Sequence, residues 1–192
     1  MTQILLKNTF MSLMAISLYG CASHYAESEA QTSVINNACI GSTHLTKGFS
    51  DKFDAIIDTQ LLSSALGSPN KGKLCQGQVY KSKEGSEVKL YRAWNSTNPN
   101  SQFGNWWAFE APSGEIAKYR SDYEICYQWS PIDTLVSCTL KPETKVVIGT
   151  GQSAECSDYL TYPVSATQQI YIENASSALS NCTGFKGEFS WK

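Results

Sequence analysis

The cysteines place the strongest constraint on how this chain can fold. Seven are spread along it, namely Cys21, Cys39, Cys75, Cys126, Cys138, Cys156 and Cys182. An odd number in an exported chain leaves one cysteine with a separate role. The other six are enough for three disulfides in an oxidising compartment, in any of roughly 15 pairings. We therefore expect a disulfide-braced domain, and six reduced thiols are the alternative.

The segment before Cys21 has the composition of a signal peptide. Lys7 is the only charged side chain before Glu27, and an apolar stretch runs over residues 10–18. One early positive charge, a short apolar core and small residues at its end are typical of a secretory leader. The stretch is shorter than the roughly 20 apolar residues that a membrane span needs. The sequence thus predicts an exported protein.

Leu18-Tyr19-Gly20-Cys21 resembles a bacterial lipobox, whose cysteine is acylated and becomes the mature N-terminus. Tyr19 departs from the small residue usual at that position. The lipid would be the only membrane attachment and would hold the protein in the cell envelope, at the outer membrane or in the periplasm. Ordinary cleavage after Ala22 or Ala26 is the alternative and would release a secreted protein. The predicted organisation is a signal peptide at 1–20, a lipid-anchored tether at 21–45 and a single globular domain at 46–192.

Composition argues against several classes of function. A net charge of −2 and a pI near 5.7 provide no basic surface for nucleic acid. The two histidines, His24 and His44, lie near the N-terminus, and no two cysteines have the CxxC spacing of a metal site. We therefore expect no bound metal, and no Cys/His or Ser/His/Asp catalysis in the body of the chain.

Hydrophobic periodicity predicts helices early in the domain and strands after them. A helix is predicted over 51–66, with Ser50 as its cap and with Phe53 in its apolar stripe. A second helix is predicted after Pro112, with Ser113 as its cap. The predicted strands are 78–80, 88–94, 106–109, 125–129, 135–140, 145–148, 168–172 and 188–191. This order indicates an α+β fold with a mostly antiparallel sheet and one or two early helices.

Arg92 is the first side chain that suggests chemistry. It lies in the middle of the apolar strand Leu90-Tyr91-Arg92-Ala93-Trp94. A buried guanidinium requires an anion or a carboxylate as its partner, and its planar fork suits two-point contact with a phosphate. An edge position beside a nearby acid is the alternative.

Two further segments carry candidate site residues. Trp106-Trp107-Ala108-Phe109 leads into the second predicted helix, and so dense an aromatic strand can form a pocket wall against a flat ring. A plain core strand is the alternative. In the late strand, period two places Gln169 and Glu173 on the face opposite Ile170 and Ile172. If the isoleucines face the core, the Gln and the Glu face a cleft or solvent.

In this order the three segments resemble the ADP-ribosyltransferase toxin superfamily. That family has an Arg on an early strand, an aromatic or Ser/Thr-bearing strand that leads into a helix, and a late strand that carries Glu or Gln before a hydrophobic pair. The resemblance covers residues 88–173, roughly half of the chain, and rests on order and spacing. It implies an ADP-ribosyltransferase-like fold with NAD as the substrate and, for a transferase, a protein target as the partner.

The resemblance implies a role for each candidate residue. Arg92 would hold the phosphates or ribose of NAD, and Trp107 or Phe109 would stack on nicotinamide. Gln169 would stand at the position of the late Glu, which helps to stabilise an oxocarbenium-like transition state. Two departures are present, because Trp-Trp-Ala replaces a Ser-Thr-Ser and the late Gln is uncharged. Glu173 is the candidate replacement carboxylate, and the Gln favours NAD hydrolysis over modification of a protein.

Two other functions fit the same sequence. A non-enzymatic envelope lipoprotein would bind a partner, a glycan or a toxin, or act as an immunity module, and it predicts Arg92 paired to an acid with no deep pocket. A different hydrolase would use carboxylates such as Glu110, Asp133 or Glu173, although no spacing singles out a pair. The NAD-consuming hypothesis predicts instead that the Arg, the Trp and the Gln meet in one cleft.

Overall fold

The computed structural model describes residues 33–34 and 39–185 of the chain. The predicted leader, Cys21 and the predicted strand over 188–191 lie outside the described residues. The strands are β1 Ser33–Val34, β2 Phe53–Ala55, β3 Leu74–Ser82, β4 Val88–Trp94, β5 Trp106–Trp107, β6 Thr134–Leu140, β7 Lys145–Gly151, β8 Ala154–Ser157, β9 Leu160–Tyr162, β10 Gln168–Tyr171 and β11 Leu179–Phe185. The helices are α1 Thr59–Ala65, α2 Ile116–Asp122 and α3 Ala175–Ala178, and a 3₁₀ helix spans Pro99–Phe103.

All the strand pairs are antiparallel. The larger sheet has the order β1-β3-β7-β10-β5, with β2 also paired to β3. The smaller sheet has the order β11-β6-β4, and β8 pairs with β9 as a separate hairpin. The predicted α+β architecture, mostly antiparallel with few helices, is confirmed.

A backbone contact joins the two sheets. Tyr91 N–H donates to the Ala108 carbonyl, and Ala108 N–H donates back to the Tyr91 carbonyl, each at 2.9 Å. The chain that leaves β5 therefore lies against β4. Because β5 also pairs with β10, the strands β10, β5 and β4 are consecutive neighbours. These are the three strands on which the resemblance depends.

The main hydrophobic core lies between the two sheets. Val88 and Leu90 point into it from β4 and are fully buried, as are Ile148 and Ile170 from the larger sheet. Successive residues of a strand point to opposite sides, so alternate apolar residues build this face. On the other face of the larger sheet, Leu62 of α1 belongs to a second apolar cluster.

The predicted helix over 51–66 is too long. The observed α1 begins after Asp58, whose carboxylate accepts a hydrogen bond from Leu61 N at 3.0 Å, so Ser50 is not its cap. Phe53 belongs to β2, where it pairs with β3 and is buried in the main core. Tertiary pairing thus overrides the helical spacing of these apolar residues.

Two other local predictions are also wrong. Glu115 occupies the N-cap position of α2 without a side-chain hydrogen bond, so Ser113 is not the cap. Residues 125–129 form no strand, and 127–129 are a turn. Their backbone bonds are local, because Ile125 N–H donates to the Arg120 carbonyl at 2.9 Å and Trp129 N–H donates to the Cys126 carbonyl at 3.0 Å.

The predicted disulfides are present. They join Cys39 to Cys75, Cys126 to Cys156 and Cys138 to Cys182, so the alternative of six reduced thiols is wrong. The linked residues are 36, 30 and 44 positions apart, and loops of that length imply about 4 kcal/mol of stabilisation each on a chain-entropy model. Such bonds are compatible with export. Within the described ranges, no helix has the length and apolar character needed to cross a membrane.

Residues 39–45, which the sequence assigns to a tether, pack against the domain. The Gln76 side chain donates to the Gly41 carbonyl at 3.1 Å, and the Tyr80 hydroxyl donates to the Thr43 carbonyl at 2.9 Å. With the Cys39 disulfide, these bonds attach the segment to β3. The packed region therefore includes residues 39–45 as well as β1, which also pairs with β3.

Candidate functional site

A cavity of about 170 Å³ lies between α2, the turns that follow it, and strands β4, β5 and β10. Arg92, Trp107 and Gln169 all line it. The segment from α2 onward contributes much of the remaining wall, through Tyr119, Tyr123, Glu124, Ile125, Trp129, Ser130 and Ile132. Three residues that are distant in the sequence thus meet at one polar and aromatic cavity.

Arg92 is held by backbone carbonyls. Its Nε donates to the Ser101 carbonyl at 2.8 Å and its Nη1 donates to the Trp106 carbonyl at 2.7 Å. Burial lowers the pKa of the guanidinium to about 10, against the opposing effect of Tyr119, so it stays charged at neutral pH. Among the described residues, no carboxylate forms an ion pair with it. The wall therefore carries a positive charge that would favour an anionic ligand.

Gln169 points into the cavity and away from solvent. Its relative exposure is 5%, and Ile170 and Ile172 on the opposite face of the strand are buried in the main core, as the spacing predicts. Across the sheet it pairs with Gly149 of β7. Its amide Nε2 donates to Glu124 Oε2 at 2.5 Å. The late Gln is therefore in direct contact with a carboxyl group.

Glu124 is the site residue that the sequence analysis missed. It is 2% exposed, and its backbone has the left-handed φ of 48° just after α2. Burial raises the pKa of its carboxyl to about 9, against the opposing hydrogen bond from Gln169, so the group is protonated at neutral pH. Its Oε1 atom is buried without a hydrogen-bond partner among the described residues. The sequence feature that could have identified Glu124 was its position between Tyr123 and Ile125, where an exposed charge is not expected.

A glycine on β7 makes room for this carboxyl. A Cβ atom on Gly151 would overlap both carboxylate oxygens of Glu124. Gly149 and Gly151 lie two residues apart and so share one face of the strand, the face on which Gln169 also lies. The absence of a side chain at Gly151 therefore leaves the space that the buried carboxyl occupies.

Aromatic rings form much of the remaining wall. Tyr119 and Tyr123 lie with ring centroids 4.6 Å apart, and burial raises the pKa of Tyr119 to about 12 and that of Tyr123 further. Both hydroxyls thus stay protonated at neutral pH. Trp107 is 2% exposed, packs in the main core and donates from Nε1 to the Gly104 carbonyl at 2.8 Å. The more accessible indole at the cavity is that of Trp129, which is 53% exposed.

Two candidate residues lie elsewhere. Phe109 stacks on Phe49 with centroids 4.1 Å apart and lines a separate surface pocket. Glu173 follows the end of β10 and lines a third pocket, together with the ion-paired Asp58 and Lys145. The strand alternation that would place Glu173 beside Gln169 ends at Tyr171, so the structure does not bring these two side chains to one cavity.

The carboxylates of the alternative hydrolase are also dispersed. Glu110 lines the pocket of Phe109, and Glu173 lines a different pocket. Asp133 accepts hydrogen bonds from Ser96 N and Oγ at 2.8 and 2.6 Å, which lower the pKa of its carboxyl. In the part of the chain that the structure describes, no group of three His, Cys, Asp or Glu side chains could hold a metal ion.

Comparison with known proteins gave no match to a family model, to a curated protein or to a solved structure. The cavity itself offers a cationic guanidinium, a neutral buried carboxyl, an amide and several aromatic walls. A set of this kind suits a ligand that has a flat ring and an anionic part.

Proposed function

We propose that this protein consumes NAD, by releasing nicotinamide as an NAD glycohydrolase or an ADP-ribosyltransferase. The observation that carries the proposal is that strands β4, β5 and β10 meet at one cavity, which Arg92, Trp107 and Gln169 line. They come from the neighbouring strands β4, β5 and β10, which carry the three motifs of the resemblance in the same chain order. If the three segments resembled the family's motifs by chance alone, there would be no reason for their strands to be neighbours.

The size of the cavity limits which part of NAD it can hold. Its volume of about 170 Å³ is below the roughly 300–1,000 Å³ typical of sites for drug-sized ligands. A nicotinamide ring fits such a volume, whereas the whole dinucleotide does not. The ring would therefore enter beside the aromatic walls, and the phosphates would stay outside, attracted by the positive charges of Arg92 and Lys73 in the lining.

In this reaction the bond between ribose C1′ and the nicotinamide nitrogen breaks. Its electron pair remains on that nitrogen, so the cationic ring leaves as neutral nicotinamide. Water or a target side chain forms the new bond to C1′ and loses a proton. Positive charge develops on the ribose in the transition state, and preorganised polar groups that face it lower the barrier. Gln169 is the group that the resemblance places against this ribose.

Release of nicotinamide tests the proposal. The oxidised protein starting at Ala22 should hydrolyse NAD, and Arg92→Ala and Gln169→Ala should each lower the rate by about 100-fold or more, since one lost transition-state contact costs that much. Lys89→Ala is the matched control, because Lys89 lies on the same strand as Arg92 but is exposed. Near-ultraviolet circular dichroism would verify that each variant is folded. A wild-type protein that neither turns over NAD nor binds it by calorimetry would reject the proposal.

A non-enzymatic binding module is the second candidate. It is favoured by the hydrogen bonds that the cavity residues make with one another and with the backbone, because Arg92 is held by carbonyls and Gln169 by Glu124. In that case the polar groups would stabilise the fold and a partner would bind outside, for instance at the exposed Tyr127 and Trp129. Binding of a ligand without release of nicotinamide would favour this candidate.

A further inference from the structure

We propose that Glu124 is the catalytic carboxyl of this cavity and that Gln169 acts on the reaction partly by positioning it. The inference rests on the proposed function. It names the source of the carboxylate that Gln169, being uncharged, cannot provide. The sequence favours Glu173 for this role, but Glu173 lines another pocket.

One carboxyl oxygen of Glu124 is hydrogen-bonded, and the other has no hydrogen-bond partner among the described residues. Oε2 accepts from Gln169 Nε2, whereas Oε1 is buried and has no hydrogen-bond partner among the described residues. Buried polar atoms are almost always paired, so an unpaired one at a cavity indicates that a ligand or a water completes it. Glu124 is also one of the residues that line the cavity.

The surrounding structure fixes the position of Glu124. Its left-handed backbone is an uncommon conformation for a residue other than glycine, and such conformations persist where the surroundings determine them. Cys126, two residues later, is tied to Cys156, and Gly151 leaves the space that the carboxyl occupies. Three independent features therefore converge on the position of one acidic side chain.

The chemistry of NAD hydrolysis gives this carboxyl a role. Water attacks C1′ as the bond to nicotinamide breaks, and the proton of that water must be removed. An ionised Glu124 can accept it and pass it on to solvent, and its negative charge would also stabilise the cationic ribose. The positively charged nicotinamide ring would favour ionisation of the carboxyl on binding, because an opposite charge nearby stabilises the charged form.

The pH dependence of turnover reports on this group. The free protein carries Glu124 protonated up to a pKa of about 9, so kcat/KM should rise with pH until about that value. The neighbouring acid on the same segment is Asp122, which opposes ionisation. The other titratable groups that line the cavity are Arg92 and Tyr119, whose pKa values of about 10 and about 12 place their titration above that range, Tyr123, whose pKa burial also raises, and Tyr91 and Lys73.

The experiment compares Glu124→Gln with the wild-type protein and with Glu155→Gln, an exposed acid on β8, over a range of pH. Glu124→Gln keeps the shape of the side chain but cannot accept a proton. We expect kcat/KM to fall by about 100-fold or more and its rise toward pH 9 to disappear, since general bases contribute at least that much. Glu155→Gln should match the wild-type protein. Thermal unfolding would show whether each variant is folded.

Glu124→Asp keeps the inference testable if Glu124→Gln does not fold. The shorter carboxyl should retain the pH-dependent rise at a lower rate, which a purely structural role would not produce. An active Glu124→Gln with an unchanged pH profile would overturn the inference and leave the proposed function standing. Loss of turnover in Glu173→Gln, with Glu124→Gln active, would also overturn it. A wild-type protein without any release of nicotinamide would overturn the function and this inference together.

Discussion

Glu124 and Gly151 illustrate how a single position can depend on another that is distant in sequence. The carboxyl of Glu124 is buried and protonated, and it occupies the space in which a larger residue at 151 would place its Cβ atom. A buried carboxyl is tolerated because it is neutral and one oxygen accepts a hydrogen bond. Folding therefore favours the protonated form over the ionised one.

Gly151→Ala tests this packing. The added methyl group should displace the Glu124 side chain and lower the free energy of unfolding by about 1–3 kcal/mol, the usual cost of overpacking. In a Glu124→Ala background the same change should cost less, because the overlapping atoms are gone. Gly48→Ala is the control, since its Cβ would meet no neighbour. Denaturant unfolding measures all four variants, and an equal cost in both backgrounds would contradict this packing.

At the scale of elements, the segment after α2 is held by a crosslink and not by a sheet. The turns around residues 125–129 follow Glu124 and line the cavity through Trp129. The disulfide from Cys126 to Cys156 attaches this segment to the β8–β9 hairpin. We therefore expect the position of Glu124 to depend on this disulfide.

Replacing Cys126 and Cys156 by Ala should therefore disturb the cavity even under conditions in which the variant is still folded. The double variant should lose about 4 kcal/mol of stability, as expected for a loop of this length, and should also lose NAD turnover at temperatures where it is still folded. The matched control replaces Cys138 and Cys182, which close a comparable loop between β6 and β11. Thermal unfolding and nicotinamide release are the measurements. Equal losses of turnover in the two double variants would show that the effect is global.

For the whole molecule, the predicted leader would decide where the domain works. Cys21 lies outside the described residues, so lipid attachment remains a prediction from the sequence. The three disulfides are compatible with an oxidising compartment outside the cytosol. The packed domain includes β1, which pairs with β3, so it extends back at least to Ser33.

Metabolic labelling tests the anchor. A bacterial host that expresses the full chain should incorporate labelled palmitate into it, and Cys21→Ser should abolish the label because the acylated thiol is lost. Ser23→Ala is the control, since it leaves the lipobox cysteine in place. An unlabelled product that begins after Ala22 or Ala26 would show ordinary cleavage and a secreted protein instead.

The sequence alone predicted the α+β class, most of the strands, the three disulfides and the candidate residues Arg92, Trp107 and Gln169. These predictions depend on local periodicity, turn residues and residue counts, which can be read from the sequence without a structure. It misplaced the first helix, because Asp58 and the pairing of Phe53 with β3 decided where that helix begins. Local patterns cannot report such pairing.

Only the tertiary structure decided the cysteine pairing, the order of the strands and which side chain contacts Gln169. Glu124 reaches the cavity because α2 ends just before it and because Gly151, on a distant strand, leaves space for its carboxyl. Glu173, four residues from Gln169, lies at another pocket because β10 ends at Tyr171. Sequence separation determines neither the position of Glu124 nor that of Glu173. Both follow from which backbone segments are neighbours in the fold.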